Sequence, residues 1–258
     1  MILTVSTVTE LMKPKPSAPA PAEPPRHSRG GNPFKDRMGL GAYLEDPSSY
    51  PPSRVISHNQ GFVVINDKFP KATVHTLLLP RLPSHCLQHP FDALGEGNDE
   101  FRREVLAEVE KLKALVAGEL QRRLGKESKA EARRQAVLDG EAEPDEDEGL
   151  PPGRDWSKEV ICGVHAVPSM SHLHIHVLSR DMHSPCLKHR KHYNSFTTPF
   201  LVPIEEFPLP RDDPRRNTRE NAYLKWDLRC WRCGRNFGNR FKELKEHLET
   251  EFDAWRRE

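Results

Sequence analysis

The sequence predicts an α+β fold: an antiparallel sheet of about five strands with helices packed on it, then a small C-terminal zinc-finger module. Short β-branched segments at Val55-Ile56, Phe62–Asp67, Val74–Pro80 and Val160–His165 are bounded by turn signals. One apolar stripe runs through Phe101, Val105, Val109, Leu112, Val116 and Leu120 at steps of three and four, which marks a packing helix. Cys230 and Cys233 are followed by thirteen residues and then His247 and Glu251. At 258 residues the chain can bury one good core and carry a small appended module.

Residues 1–32, with runs such as Ala20-Pro21-Ala22-Glu23-Pro24-Pro25, read as a disordered proline-rich tail in which Arg26–Arg29 is a basic contact or targeting element. The main domain is expected over 33–200. A short helix over Phe34–Leu44 presents Phe34, Met38, Leu40 and Tyr43 at mixed helical spacings. Between the second and third strands lies Asp67-Lys68-Phe69-Pro70-Lys71. Asp67 either caps this turn or accepts hydrogen bonds from ribose hydroxyls, and Lys71 suits a phosphate. Alternation puts His75 on the core side of its strand as a structural, hydrogen-bonded histidine. After the long helix the pattern dissolves into charge, so 126–150 is expected to be a disordered acidic insert ending in Glu141–Glu148. Cys162 reads as a small buried apolar residue. Residues 201–227 are expected to be a linker or helical connection, and 228–258 the finger.

The organising stretch is Ser169-Met170-Ser171-His172-Leu173-His174-Ile175-His176-Val177-Leu178. On a strand, His172, His174 and His176 share one face and Leu173, Ile175 and Val177 the other. Folding does not require three imidazoles together. A polar strand face, zinc ligation and nucleophilic or acid–base chemistry all remain open on the spacing alone. The Pro168 turn joins this stretch to the preceding strand and brings His165 near it. Beyond it, Arg180–Phe196 interleaves cations with aromatics, either as an exposed loop or for phosphodiester contact.

In the last module, His247 and Glu251 lie four apart and share a helix face, so with Cys230 and Cys233 they reach one structural zinc. The fourth ligand is Glu251 or a water. Phe237 and Leu244 form a small core, and Arg229, Arg232, Arg235, Arg240, Lys242 and Lys245 surround it for backbone binding of nucleic acid. A net charge of +1 says little about partners, whereas the segregation of acids before 150 and bases after 180 says more. No apolar run approaches the roughly 20 residues of a membrane span, so no membrane partner and no secretory signal are expected. Five cysteines without a framework argue for a reducing compartment.

The string Gly163-Val164-His165-Ala166-Val167-Pro168-Ser169-Met170-Ser171-His172-Leu173-His174-Ile175-His176 resembles the histidine-triad (HIT) nucleotide hydrolases and transferases, and among them the aprataxins. The resemblance covers most of the chain beyond Asn32 except the acidic insert, which those relatives lack at this length. It extends to Ser184-Pro185-Cys186-Leu187-Lys188 and Lys191-His192-Tyr193-Asn194-Ser195-Phe196, with Tyr193 where the family has Trp, and to the Cys-Cys-His-Glu finger of fungal members.

It implies a HIT fold and removal of AMP from 5′-adenylated DNA through an adenylyl-histidine. His174 would be the nucleophile, with His172 orienting it, His176 on the phosphate oxygens and His165 at the leaving group. Asp67, Lys68, Phe69, Pro70, Lys71, Ser169 and Met170 would hold the nucleotide, and Phe34, Lys188 and Lys191 the DNA. Phe34 would wedge against the terminal base pair, although plain packing looks the same in sequence. The implied partners are double-stranded or nicked DNA and the AMP product, with a monomeric protein, a nuclear location and no catalytic metal. Hydrolysis of small adenylated metabolites is the alternative; a DNA-end scaffold with a dead pocket and a zinc enzyme are further rivals.

Overall fold

The computed structural model describes residues 37–144 and 149–258. The tail at 1–32 and the candidate wedge Phe34 lie outside these residues, as do 145–148. Of the helix expected over Phe34–Leu44, the described part is the short α1 (Gly41–Glu45). It is followed by β1 (Val55–His58), β2 (Phe62–Asn66) and β3 (His75–Pro80). Asn59 closes the first hairpin, its Oδ1 accepting from the amides of Gly61 and Phe62 at 2.9 and 2.8 Å.

Then come α2 (Pro90–Ala93), α3 (Asp99–Leu124), α4 (Lys129–Leu138), β4 (Val160–His165), β5 (Ile175–Ser179), α5 (Arg190–Thr197) and β6 (Leu201–Pro203). The strands form one six-stranded antiparallel sheet in the order β1-β2-β3-β5-β4-β6. That is one strand more than expected. The extra strand, β6, comes from the start of the segment read as a linker; it pairs with β4, so its three residues are sheet and not connection. The remainder of that segment is a chain of helical turns that includes α6 (Thr218–Asn221).

Helix α3 buries the stripe read from its sequence, with Phe101, Val105, Val109, Leu112, Val116 and Leu120 all facing the sheet core. Asp99 and Glu100 in its first turn and Arg122 and Arg123 in its last complement the helix dipole. Leu173, Ile175 and Val177 join this core, as expected. The opposite face of the sheet carries Val63, Ile65, Leu77 and Leu79 under Leu40. Strand β3 is therefore buried on both faces, at all six positions. Regular strand pairing reaches only Ile175. Upstream of it, the amide of Leu173 bonds to the carbonyl of Cys86, 2.8 Å away in a loop, so His172 and His174 precede the strand and do not lie on it.

The insert expected to be disordered is ordered at its start. Ser128 caps α4 by accepting from the amide of Glu131, the Ser-x-x-Glu pattern of a helix start. Tertiary partners then hold the helix: Trp156 Nε1 donates to Glu131 Oε1 at 3.0 Å and Ser128 Oγ to the carbonyl of Glu258 at 3.1 Å. Charge density in the sequence concealed these contacts.

The last module is β7 (Leu228–Arg229), β8 (Asn236–Gly238) and α7 (Phe241–Trp255). Its apolar residues Leu228, Phe237, Leu244 and Leu248 belong to one cluster with Met182, Leu187, Tyr193 and Phe196 of the main domain. The finger thus shares a core with the sheet domain. No described helix is long and apolar enough to cross a membrane.

Candidate active site and metal centre

Sheet geometry gathers the histidines. On β5, His176 lies opposite Leu77 of β3 and Gly163 of β4. The diagonal neighbours two residues along those strands are His75 and His165, within reach of a ring on the same face. Accordingly the His165 and His176 rings are 4.4 Å apart, those of His75 and His176 5.2 Å, and those of His174 and His176 5.0 Å. Phe196 of α5 closes over His75, His165 and His176. His75 is the residue that sequence reasoning misplaced. It is buried and hydrogen-bonded as expected, but among the triad histidines. A strand buried on both faces has no alternation to show which side is the core.

Hydrogen bonds fix the tautomers. The amide of Lys71 donates to His75 Nδ1 at 3.0 Å, so the His75 proton sits on Nε2. That Nε2 lies 3.0 Å from His176 Nδ1 and donates to it, which leaves the His176 proton on Nε2. Among the described residues His176 Nε2 is buried with no partner, an N–H donor free for a ligand. His174 Nδ1 donates to the carbonyl of His172 at 2.7 Å, leaving an unprotonated lone pair on Nε2. The group that orients His174 is therefore the backbone of His172 and not its ring. The His172 ring lies against Gly41, where a Cβ would come within 2.8 Å of it.

Burial keeps these imidazoles neutral. It lowers His75 to about 4 and His165 to about 3, and it pushes His174 and His176 below the ordinary histidine value. His165 has a backbone hydrogen bond with Ser195, and its Nε2 is buried with no partner among the described residues. Burial also lowers the pKa of Lys71, against the opposing pull of Asp67.

Around the histidines, Asp67 does cap its turn, Oδ1 accepting from the amide of Phe69 at 2.7 Å, while Oδ2 lies 3.5 Å from His75 Nε2. Asp67, His75 and His176 are spaced to share a cation. The amide of Lys71 opposes that, because it occupies the lone pair of His75 Nδ1 and leaves Nε2 protonated. Lys68 and Phe69 are exposed, with the ammonium 5.7 Å from the ring centre. The carbonyl of Pro70 accepts from Ser184 Oγ at 2.6 Å. Ser169 is exposed at the turn before the triad, and Met170 is half-buried against the cluster under Leu40. Lys188 and Lys191 are exposed.

Asp181 was not anticipated. Buried, it accepts from the amide of Thr73 at 3.0 Å, Thr73 Oγ1 at 3.1 Å and the amide of His183 at 2.8 Å, and also from Ser179 Oγ. It pins the Asp67–Thr73 turn to the basic loop. Its carbonyl takes Trp231 Nε1 of the finger at 3.2 Å. An aspartate two residues past a strand carries no sequence signal of such a role.

In the finger, Cys230, Cys233, His247 and Glu251 bring their ligand atoms within 4.8 Å of one another. His247 Nε2 is 3.2 Å from Cys233 Sγ and 3.1 Å from Glu251 Oε1, separations suited to donors around one tetrahedral zinc. The other Glu251 oxygen takes Arg232 at 2.6 Å, the kind of outer contact that orients a metal-binding carboxylate. Three of the surrounding cations are internally paired: Arg232 with Glu251 and Glu258, Arg240 with Glu243, Lys242 with Glu246. Lys245 donates to the carbonyl of Leu187. Among the described residues Lys188, Arg190, Lys191, Arg229 and Arg235 have no acidic partner, so a group of uncompensated cations runs from the start of α5 to the finger.

A family model of the HIT domain matches residues 49–183, and one of the C2HE / C2H2 / C2HC zinc-binding finger matches 197–254. The Aprataxin-like protein of Schizosaccharomyces pombe is 34% identical over 228 residues, 86% of this chain and 83% of that protein. That of Saccharomyces cerevisiae is 33% identical over 221 residues, 84% of this chain and 96% of that protein. A solved structure described as "Crystal structure of aprataxin ortholog Hnt3 in complex with DNA" has a TM-score of 0.65 and 30% identity, covering 85% of this chain and 96% of its own. Another, "Hnt3 in complex with DNA and guanosine", has a TM-score of 0.65 and 31% identity over 85% of this chain and 97% of its own. With both family models matched in order and two relatives aligned over most of their length, the chain belongs to the aprataxin family, a HIT-family hydrolase joined to a zinc-binding finger.

Proposed function

We propose that the chain removes AMP from 5′-adenylated DNA ends. The observation that carries this reading is the tautomer of His174: its proton is held by the carbonyl of His172, so Nε2 offers a lone pair at neutral pH. His174 Nε2 attacks the AMP phosphorus in line, forming an N–P bond as the P–O bond to the bridging pyrophosphate oxygen breaks. The electron pair leaves on the DNA 5′-phosphate. Water then attacks the same phosphorus, the N–P bond breaks, and AMP departs with His174 restored. His176 Nε2–H, supplied by the His75 relay, donates to a non-bridging oxygen where charge develops. His165 Nε2 faces the leaving phosphate and is neutral until an anion draws a proton to it. Asp67 Oδ2 takes a ribose hydroxyl, Lys71 a phosphate, and Ser169 and Met170 offer backbone amides.

DNA as the substrate is supported by the unpaired cations running from α5 into the finger and by the DNA complexes of the Hnt3 structures. Lys188 and Lys191 contact phosphates, and DNA ends place the work in the nucleus. Zinc, when bound, supplies structural crosslinking in the finger, held by Cys230, Cys233, His247 and Glu251. Turnover on 5′-adenylated nicked DNA should greatly exceed that on AMP-lysine, and acid quenching should trap protein-bound AMP. The His174→Ala protein should bind the same DNA and release no AMP. Release by that variant would remove His174 from the nucleophile's role, while preference for AMP-lysine would establish the metabolite reading.

A further inference from the structure

Trp226 is 45% exposed, whereas Trp156 and Trp255 are buried and Trp231 is half-buried. Leaving a ring of this size in water forgoes burial that would stabilise the fold. Nor is the ring loosely held. Its carbonyl accepts from Asn194 Nδ2 at 2.8 Å, its Nε1 donates to the carbonyl of Asn221 at 2.9 Å, and it meets Tyr223 edge-on at 5.0 Å.

Four cations lie near this residue along the chain or on the helix that anchors it. Lys225 precedes it and Arg229 follows, the latter with its carbonyl bonded to Tyr193 Oη at 2.9 Å. Arg190 and Lys191 open α5, the helix whose Asn194 holds Trp226. None of these four cations has an acidic partner among the described residues. The adjacent carboxylate, Asp227, is hydrogen-bonded to Asn236 at 3.0 Å. The same helix carries Phe196, packed on His75, His165 and His176. Asn194 and Phe196 are two residues apart on this helix, so one short element carries both the anchor of Trp226 and the ring packed on the clustered histidines.

We propose that Trp226, flanked by Lys191, Lys225 and Arg229, is a stacking platform for an unpaired base and favours adenylated DNA ends that carry a single-stranded tail. Base–aromatic stacking between backbone-binding cations is how single strands are held without sequence preference. The inference rests on the reading of the substrate as DNA.

The test compares the wild-type chain, Trp226→Ala and Trp226→Phe on a blunt 5′-adenylated duplex and on the same duplex with a short unpaired tail on either strand. A tail on at least one strand should tighten wild-type binding about tenfold and quench tryptophan emission. Trp226→Ala should lose that gain and leave blunt-duplex binding unchanged. Trp226→Phe should keep most of the gain while losing the quench. Equal wild-type binding of blunt and tailed DNA, or equal weakening of both by Trp226→Ala, would overturn the platform and leave the deadenylation reading intact. Failure of the wild type to bind or turn over any adenylated DNA would overturn both.

Discussion

Both ring nitrogens of His75 are engaged, one by the amide of Lys71 and the other by His176. The consequence is a proton placed on the far side of His176, where no described residue receives it. Replacing His75 with Phe removes the donor and frees His176 to adopt the other tautomer. Turnover of adenylated DNA should fall ~10²-fold with KM little changed, the usual scale for losing a positioned proton. His75→Gln retains a donor amide and should recover part of the rate. A comparable loss in both variants would mean that His75 acts through packing alone.

At the scale of elements, the connection that matters is the end of α7 against the insert. Trp255 is 1% exposed and meets Trp156 and Trp231 edge-on, each at 6.3 Å. Its Nε1 donates to Glu159 Oε2 at 2.8 Å. The main-chain amides of Lys129 and Ala130, at the start of α4, bond to the carbonyls of Arg257 and Glu258. Insert, sheet domain and finger helix thus close on one aromatic cluster. Trp255→Ala leaves a cavity and removes the indole hydrogen bond to Glu159, whose other oxygen stays paired with Arg154 at 3.0 Å, so it should cost about 3–5 kcal/mol in denaturant unfolding. A loss below about 1 kcal/mol would show that α7 docks through its other contacts.

For the whole molecule, the buried imidazoles couple stability to pH. The folded chain keeps His75 and His165 unprotonated down to about 4 and about 3, whereas the unfolded chain protonates them near 6.5. Between these values the unfolded state binds more protons, so stability rises with pH. The contribution is complete above 6.5 and is lost as pH falls through 6.5 toward 4 and 3. Each group adds a slope of up to ~1.4 kcal/mol per pH unit. Urea midpoints should therefore hold steady between pH 7 and 8 and fall steeply below 6; an unchanged midpoint at pH 5 would refute the assignment of two neutral buried histidines. Binding of an anionic substrate should raise both pKa values and flatten the slope.

What the sequence by itself determined is whatever local periodicity encodes. The stripe of α3, the alternation His172-Leu173-His174-Ile175-His176 and the Cys230, Cys233, His247, Glu251 spacing each lie within one short stretch or one small module, and each was readable before any contact was known. Folding decided the remainder. β6 exists because three residues find β4, and the insert is ordered at α4 because Trp156 and Glu258 meet it. His75 enters the histidine cluster through a hydrogen bond to a residue 101 positions away. The physical reason is the same in each case: a tautomer, a paired edge and a helix marginal by itself are set by neighbours distant along the chain, and periodicity does not report them.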